Sequence, residues 1–274
     1  MGGKPAKERN GSMHAELIVM RHGESTWTQK SVNRFAGWVN VPLTTRGRDQ
    51  AVQAGRLLSQ AGLAPDMVFT SLLSRAILTS DIVLDLTDRS WIPVERTWRL
   101  NERHYGAFQG ETRPAMLKRY GLDRFNAYRR SFDVRPPDID PASPYFQEDD
   151  PRYAPAMQDH LDSLVPAEIR AESLKDLLAR LQPYWQARIA PVLKEGLTIL
   201  MVTHGSVVRA LIKVLEGIGD KDIASINVPT GVPMVYGFTT DVHGNLCVEG
   251  RGRYLDQQAA TRGMEEIAAL GRHL

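Results

Sequence analysis

Cysteine is nearly absent from this chain: Cys247 is the only one in 274 residues. A single thiol can form neither an intrachain disulfide nor a cysteine-based metal cluster, and such scarcity fits a reducing compartment. No stretch reaches the roughly 18 apolar residues of a membrane span. The N-terminus also lacks the apolar segment of a secretory signal. The formal net charge is only +2 and no basic run is present, so nothing suggests binding to nucleic acid or a membrane surface. Lysine is scarce too: there are eight, so 26 of the 34 basic residues are arginine. These absences leave a cytoplasmic protein whose partner is a small molecule. At 42% hydrophobic and 24% charged, the chain suits one α/β domain with an embellishment.

The residues that organise the chain are Leu17-Ile18-Val19-Met20-Arg21-His22-Gly23-Glu24. An unbroken apolar run is the pattern of a strand buried on both faces, and here it stops at a charged pair followed by glycine. In open parallel α/β sheets, ligands bind outside the carboxyl ends of the strands. Arg21 and His22 would therefore reach a pocket together. A guanidinium can grip two phosphate oxygens, and a neutral imidazole can accept a phosphoryl group. Leu197 to Gly205 repeats the pattern and ends in Thr203-His204-Gly205. Two parallel strands ending this way would bring His22 and His204 to one sheet edge, although they lie 182 residues apart in sequence.

Residues 1–12 are polar and glycine-containing and read as a disordered leader outside the fold. Thr26 to Pro42 lacks periodicity and reads as a loop over the pocket. A helix follows, capped by Thr44 or Thr45 and closed by Gly62. Met67 to Thr70 reads as a strand feeding a second helix. Arg75 lies in that helix's first turn, where a cation opposes the helix dipole; with the N-terminal amides it would make an anion site. Trp91 to Glu95 reads as a strand, and Pro93 favours an edge. Leu100 to Gly106 is dense in ionisable groups, among which Glu102 is the candidate for proton transfer. A short helix over Met116 to Arg130 ends in Arg129-Arg130. The irregular stretch that follows makes about 106–170 a lid segment. A helix from Ser173, kinked at Pro183, precedes the His204 strand and its helix. Val232 to Phe238 and Leu246 to Glu249 read as a hairpin. The domain spans 13–256, and 257–274 reads as a weak helix or mobile tail. No metal-ligand constellation appears.

Taken together, Arg21-His22-Gly23-Glu24-Ser25 and Thr203-His204-Gly205 resemble the histidine phosphatase superfamily. Within that superfamily the chain resembles the 2,3-bisphosphoglycerate-dependent phosphoglycerate mutases. Asn33-Arg34-Phe35, Ser71 to Ala76, Leu100 to Gly106, Arg129-Arg130 and Pro229 to Pro233 match that family's motifs in order. The resemblance implies a three-layer α/β sandwich with a mostly parallel central sheet flanked by helices. It also implies interconversion of 3-phosphoglycerate and 2-phosphoglycerate, primed by 2,3-bisphosphoglycerate without a metal, in a homodimer or homotetramer. The alternatives are a phosphatase or divergent mutase on another small phosphorylated acid, or a non-catalytic binding protein.

On the same resemblance His22 is phosphorylated, Glu102 moves protons, and His204, Arg21 and Arg75 hold the group in transfer. Arg129 and Arg130 bind the retained phosphate. Gly23, Ser25, Thr28, Asn33, Ala36, Gly37, Arg103, Tyr105, Arg113, Gly205 and Ser206 complete the expected substrate contacts. Four positions depart from the family pattern. Thr28 and Ser206 stand where asparagine is usual, Ala36 where threonine is common, and Arg113 where a lid lysine is usual. Arginine for lysine is not neutral at a phosphate.

Overall fold

The computed structural model describes residues 8–9, 12–155 and 159–270. Its sheet is built from β2 (Ser12–Arg21), β3 (Met67–Thr70), β4 (Val94–Arg96), β5 (Thr198–Thr203), β6 (Met234–Thr240) and β7 (Leu246–Tyr254), in the order β4-β3-β5-β2-β6-β7. Neighbours from β4 to β2 are parallel, and β6 runs against both β2 and β7. The edge position expected from Pro93 is where β4 lies. β1 (Glu8–Arg9) pairs antiparallel with the start of β2. The stretch expected to be a leader therefore contributes three paired residues, Glu8, Arg9 and Ser12, and its residues 1–7 and 10–11 lie outside the described residues.

Both faces of the central strands are covered, which is why β2 and β5 read as continuous apolar runs. Leu17, Val19, Ile199 and Met201 pack on one side against α4 (Leu174–Tyr184) and α6 (Gly205–Leu215). Ile18, Met20, Leu200 and Val202 pack on the other against α1 (Thr45–Gln60) and α2 (Ser74–Leu86). This is the expected three-layer arrangement. α1 and α4 begin at side-chain caps: Thr44 Oγ1 accepts from the Gly47 amide, and Ser173 forms a reciprocal capping box with Asp176. Pro183 lies within α4; a widened turn over Trp185–Ile189 follows, before α5 (Ala190–Lys194).

The lid segment holds α3 (Arg113–Arg130), which starts three residues earlier than its apolar pattern suggests because Thr112 caps it. Gly121 interrupts α3 at φ 73°, a left-handed conformation open to glycine, so α3 is two helical pieces joined end to end. The remaining lid backbone is irregular but anchored. The fully buried Arg99 forks onto Asp159 and Asp162 at 2.7 and 2.8 Å. Gln147 donates to the carbonyls of Pro166 and Ile169. Of residues 257–274, expected to be a weak helix or mobile tail, 257–269 form α7 (Gln257–Ala269), capped by the Asp256 carboxylate on the Ala259 amide, and 271–274 lie outside the described residues. Its far end returns to the pocket below.

Candidate active site

β2 and β5 are adjacent and parallel with Arg21 opposite Thr203, so the residues just past them, His22 and His204, are brought side by side. The two rings meet edge to face, with centroids 4.9 Å apart. Both are buried. His22 Nδ1 lies 2.6 Å from the Gly23 carbonyl oxygen, which can only accept, so Nδ1 carries the proton and Nε2 keeps its lone pair. Arg75 Nε donates to that lone pair at 3.2 Å. Burial, Arg75 and Arg21 all push the His22 pKa well below its ordinary value, more than the bond to Gly23 raises it. His22 is thus a neutral imidazole at pH 7, presenting an sp² nitrogen nucleophile.

His204 is held from the opposite side. Ser71 Oγ accepts from the Leu73 amide and lies 2.8 Å from His204 Nε2, so its hydroxyl hydrogen is free for that nitrogen. With Ser71 donating to Nε2, the proton on His204 sits on Nδ1, which is buried and has no partner among the described residues. Burial, Arg75 and His22 keep this ring neutral as well. Arg21 Nε is also buried and unpartnered, while Arg21 Nη1 donates to the Val228 carbonyl at 3.2 Å. An anion in the gap would satisfy both orphan donors, since unmatched buried donors are costly.

The cleft wall comprises Arg21, His22, Thr28, Ala36, Gly37, Arg75, Glu102, Tyr105, Arg113, Arg129, Arg130, Gly205 and Ser206 among the expected residues. Glu102 Oε1 accepts from the amides of Arg103 (2.8 Å) and Ser206 (3.1 Å), and no described residue bonds Oε2. One oxygen is pinned and the other faces the cleft, a geometry suited to proton exchange. Arg130 is fixed by the Ile226 carbonyl and Asn227. Among the described residues no hydrogen bond holds the Arg129 guanidinium. Burial together with Arg130 and Arg113 lowers its pKa to about 9. Mutual repulsion among these cations is relieved when an anion binds.

Four expected contacts lie behind this wall rather than in it. Gly23 supplies the carbonyl that fixes His22, and a side chain on it would meet the Gly47 carbonyl at 2.1 Å. Ser25 is fully buried and knotted to Thr28 at 3.0 Å. Asn33, at φ 49°, donates to the Leu270 carbonyl and accepts from Arg113. Arg103 turns away toward the end of α3. Of the amides expected to complete an anion site at the start of α2, that of Ser74 bonds Asn40 and that of Ala76 the Leu73 carbonyl; just ahead of the helix, those of Leu72 and Leu73 bond Asn101 and Ser71. In the cleft, the helix start that receives a carboxylate is that of α6, from Glu102.

The residues not anticipated are Arg209, Ile226, Val228, Ile267 and Leu270. Arg209 was findable, because it lies four residues after Gly205 and so shares its helix face. The other four come from loops and from α7, where no local pattern marks them.

This geometry defines a phosphoryl-transfer site built on histidine. The family profile of the histidine phosphatase superfamily (branch 1) matches residues 17–145 and 142–242, and the chain belongs to that superfamily. A 2,3-bisphosphoglycerate-dependent phosphoglycerate mutase of Cutibacterium acnes is 49% identical over 262 residues, 94% of this chain and 99% of that one. Phosphoglycerate mutase 1 of Saccharomyces cerevisiae is 46% identical over 257 residues, 94% and 99% of the two chains. Among solved structures, a mycobacterial glucosyl-3-phosphoglycerate phosphatase superposes with a TM-score of 0.60 at 21% identity, covering 87% of this chain and 96% of its own. At that identity the likeness is one of fold.

Proposed function

We propose that this chain interconverts 3-phosphoglycerate and 2-phosphoglycerate through a phosphohistidine on His22. The observation that carries the reading is the continuous cationic wall from the neutral His22–His204 pair to Arg129, which offers a second anion a place beyond the reacting one. A phosphatase needs only the first place, whereas a mutase must hold a phosphate while another moves. When bound, 2,3-bisphosphoglycerate supplies the phosphoryl group that loads the enzyme. The two orphan donors, His204 Nδ1 and Arg21 Nε, fit such a group at one end, and Arg113, Arg129 and Arg130 fit its second anion.

The chain's own residues then divide the work. His22 attacks through Nε2 while Gly23 fixes its tautomer. Arg75, which occupies the Nε2 lone pair, moves its N–H to the phosphoryl oxygens as the group arrives. Arg21 and His204 are already oriented toward the charge that spreads over those oxygens, so little solvent reorganisation is needed. Glu102 takes and returns the substrate hydroxyl proton through Oε2. α3 and the lid keep water, the competing acceptor, from the phosphohistidine. No metal takes part in this reading.

The same proposal places the enzyme in the cytoplasm as a homodimer or homotetramer, with 13–256 as one domain. No helix among the described residues is long and apolar enough to cross a membrane. A coupled assay tests the function: 3-phosphoglycerate conversion is expected to depend on added 2,3-bisphosphoglycerate. Steady phosphate release unaffected by the primer overturns it. Light scattering at micromolar concentration checks the oligomer.

A further inference from the structure

The last three residues of α3 carry both the double arginine and three carbonyls that have no helical partner ahead of them. Guanidinium groups from two other parts of the chain take all three. Arg103 Nη1 donates to the Tyr128 carbonyl at 3.0 Å, and Arg103 Nη2 to the Arg129 carbonyl at 3.1 Å. Arg209 Nη2 donates to the Arg130 carbonyl at 2.8 Å and also to the Ile223 carbonyl at 2.8 Å. Arg103 reaches further, to the Glu172 carbonyl at 3.4 Å, and lies over the Tyr105 ring at 4.6 Å. Both arginines are buried, and among the described residues neither has a carboxylate in ion-pair range.

The origin of each clamp makes the arrangement more than a helix cap. Arg103 directly follows Glu102, and its own amide holds the Glu102 carboxylate. Arg209 lies one helical turn beyond Gly205, on the helix that starts at His204. The peptide units of Arg129 and Arg130 are therefore tied to the proton-transfer segment on one side and to the histidine segment on the other. A water or a nearby backbone amide could satisfy a helix end without fixing any such distance. Two buried cations without carboxylates, set beside further cations, carry a desolvation cost that a purely structural cap does not need. Costs of this kind are expected where function requires them.

We propose that Arg103 and Arg209 are positioning residues that fix the double arginine relative to the two histidines, and so set the spacing between the two anionic groups a ligand can present. This rests on the functional reading above, in which one anion reacts and another is retained. A ligand with both anions at the right separation engages both ends. A single small anion engages the histidine end alone and is indifferent to the clamp.

Arg103→Lys and Arg209→Lys test this, since each keeps the charge: at 103 an ammonium cannot span two carbonyls as the two Nη atoms of the fork do, and at 209 the shorter side chain ends short of the two carbonyls that Nη2 reaches. Calorimetric titration is expected to show 3-phosphoglycerate binding weakened at least tenfold in each variant. Inorganic phosphate binding should change less than twofold. In turnover, KM should rise with binding while kcat changes less than threefold. Equal weakening of both ligands, or of neither, overturns the proposal. The variants lie on different elements, so if melting shows that one fails to fold, the other still decides. Wild-type protein that binds 3-phosphoglycerate without converting it, primer present, overturns the mutase reading and leaves the clamp to be judged by binding. Wild-type protein that does not bind it overturns both.

Discussion

At one end of the cleft, His22 and His204 stand on the ends of neighbouring strands whose register places them together; at the other, Arg113, Arg129 and Arg130 stand on an interrupted helix tied down by guanidinium–carbonyl bonds. The first end is made by the core. Its geometry is fixed by strand pairing and by apolar packing on both sheet faces, and its groups are neutral because they are buried among cations. The second end has little core beneath it beyond Phe35, Phe108, Met116 and Phe125. It must be positioned by polar contacts instead. A site can thus combine a rigid reacting end, common to enzymes of one fold, with a substrate-selecting end built by an insertion.

Substitutions at the two ends should fail differently. Replacing His22 with alanine should abolish labelling and reduce turnover by on the order of 10⁴–10⁶-fold, as removal of a nucleophile does. Replacing His204 with alanine removes one preorganised donor. Roughly 10²–10³-fold should be lost from kcat, with KM nearly unchanged. Steady-state kinetics on both variants would locate the loss in the chemical step. A His204 variant that changed KM alone would erase the distinction between the ends.

A subtler effect belongs to protonation. Burial holds His104 at about 4, and its Nδ1 accepts from the Gly106 amide, so the folded protein resists taking up a proton there. In the unfolded chain the same ring titrates near 6.5. As pH falls below 6.5 the unfolded state binds the extra proton, and stability drops by up to about 1.4 kcal/mol per pH unit for this group. The contribution is fully present above 6.5 and is exhausted near pH 4. His22 and His204 act in the same direction. Urea midpoints should therefore fall steeply from pH 6.5 to 5, and less steeply in His104→Gln. Identical slopes would rule out the neutral buried state of this ring.

The smallest effect is expected at Arg113. Its Nη1 bonds Asn33 Oδ1 at 2.9 Å and lies 3.4 Å from the Arg34 carbonyl, while the guanidinium lies 4.7 Å over the Phe35 ring. Lysine would keep the charge but lose the fork and the stacking. Arg113→Lys should raise KM for 3-phosphoglycerate by roughly 5–30-fold, equivalent to about 1–2 kcal/mol, with phosphohistidine formation unaffected. A drop in kcat without a change in KM would assign Arg113 to the reacting end.

The same division explains what could be seen in the sequence. Residues 17–24 and 197–205 disclosed the strand pair, the two histidines and their meeting point, because a doubly buried strand leaves an unbroken apolar run with an abrupt polar end. Glu102 was legible as the lone carboxylate expected among cations. Arg103 was misplaced as a substrate contact because it lies between two residues that face the cleft, Glu102 just before it and Tyr105 two residues on, and nothing local shows a side chain turning toward a helix 25 residues on. Side chains from distant loops, Asn40 and Asn101, take the Ser74 amide of α2 and the Leu72 amide just ahead of it, and no local pattern shows this. Ile267 and Leu270 enter the wall only through the return of α7, a purely tertiary event.

The decisive measurement is the fate of a labelled phosphoryl group from 2,3-bisphosphoglycerate. The account predicts acid-labile label on His22, found by peptide mapping, that is chased into both 2-phosphoglycerate and 3-phosphoglycerate when unlabelled substrate is added. Label that never reaches His22, or that leaves it only as inorganic phosphate, contradicts it.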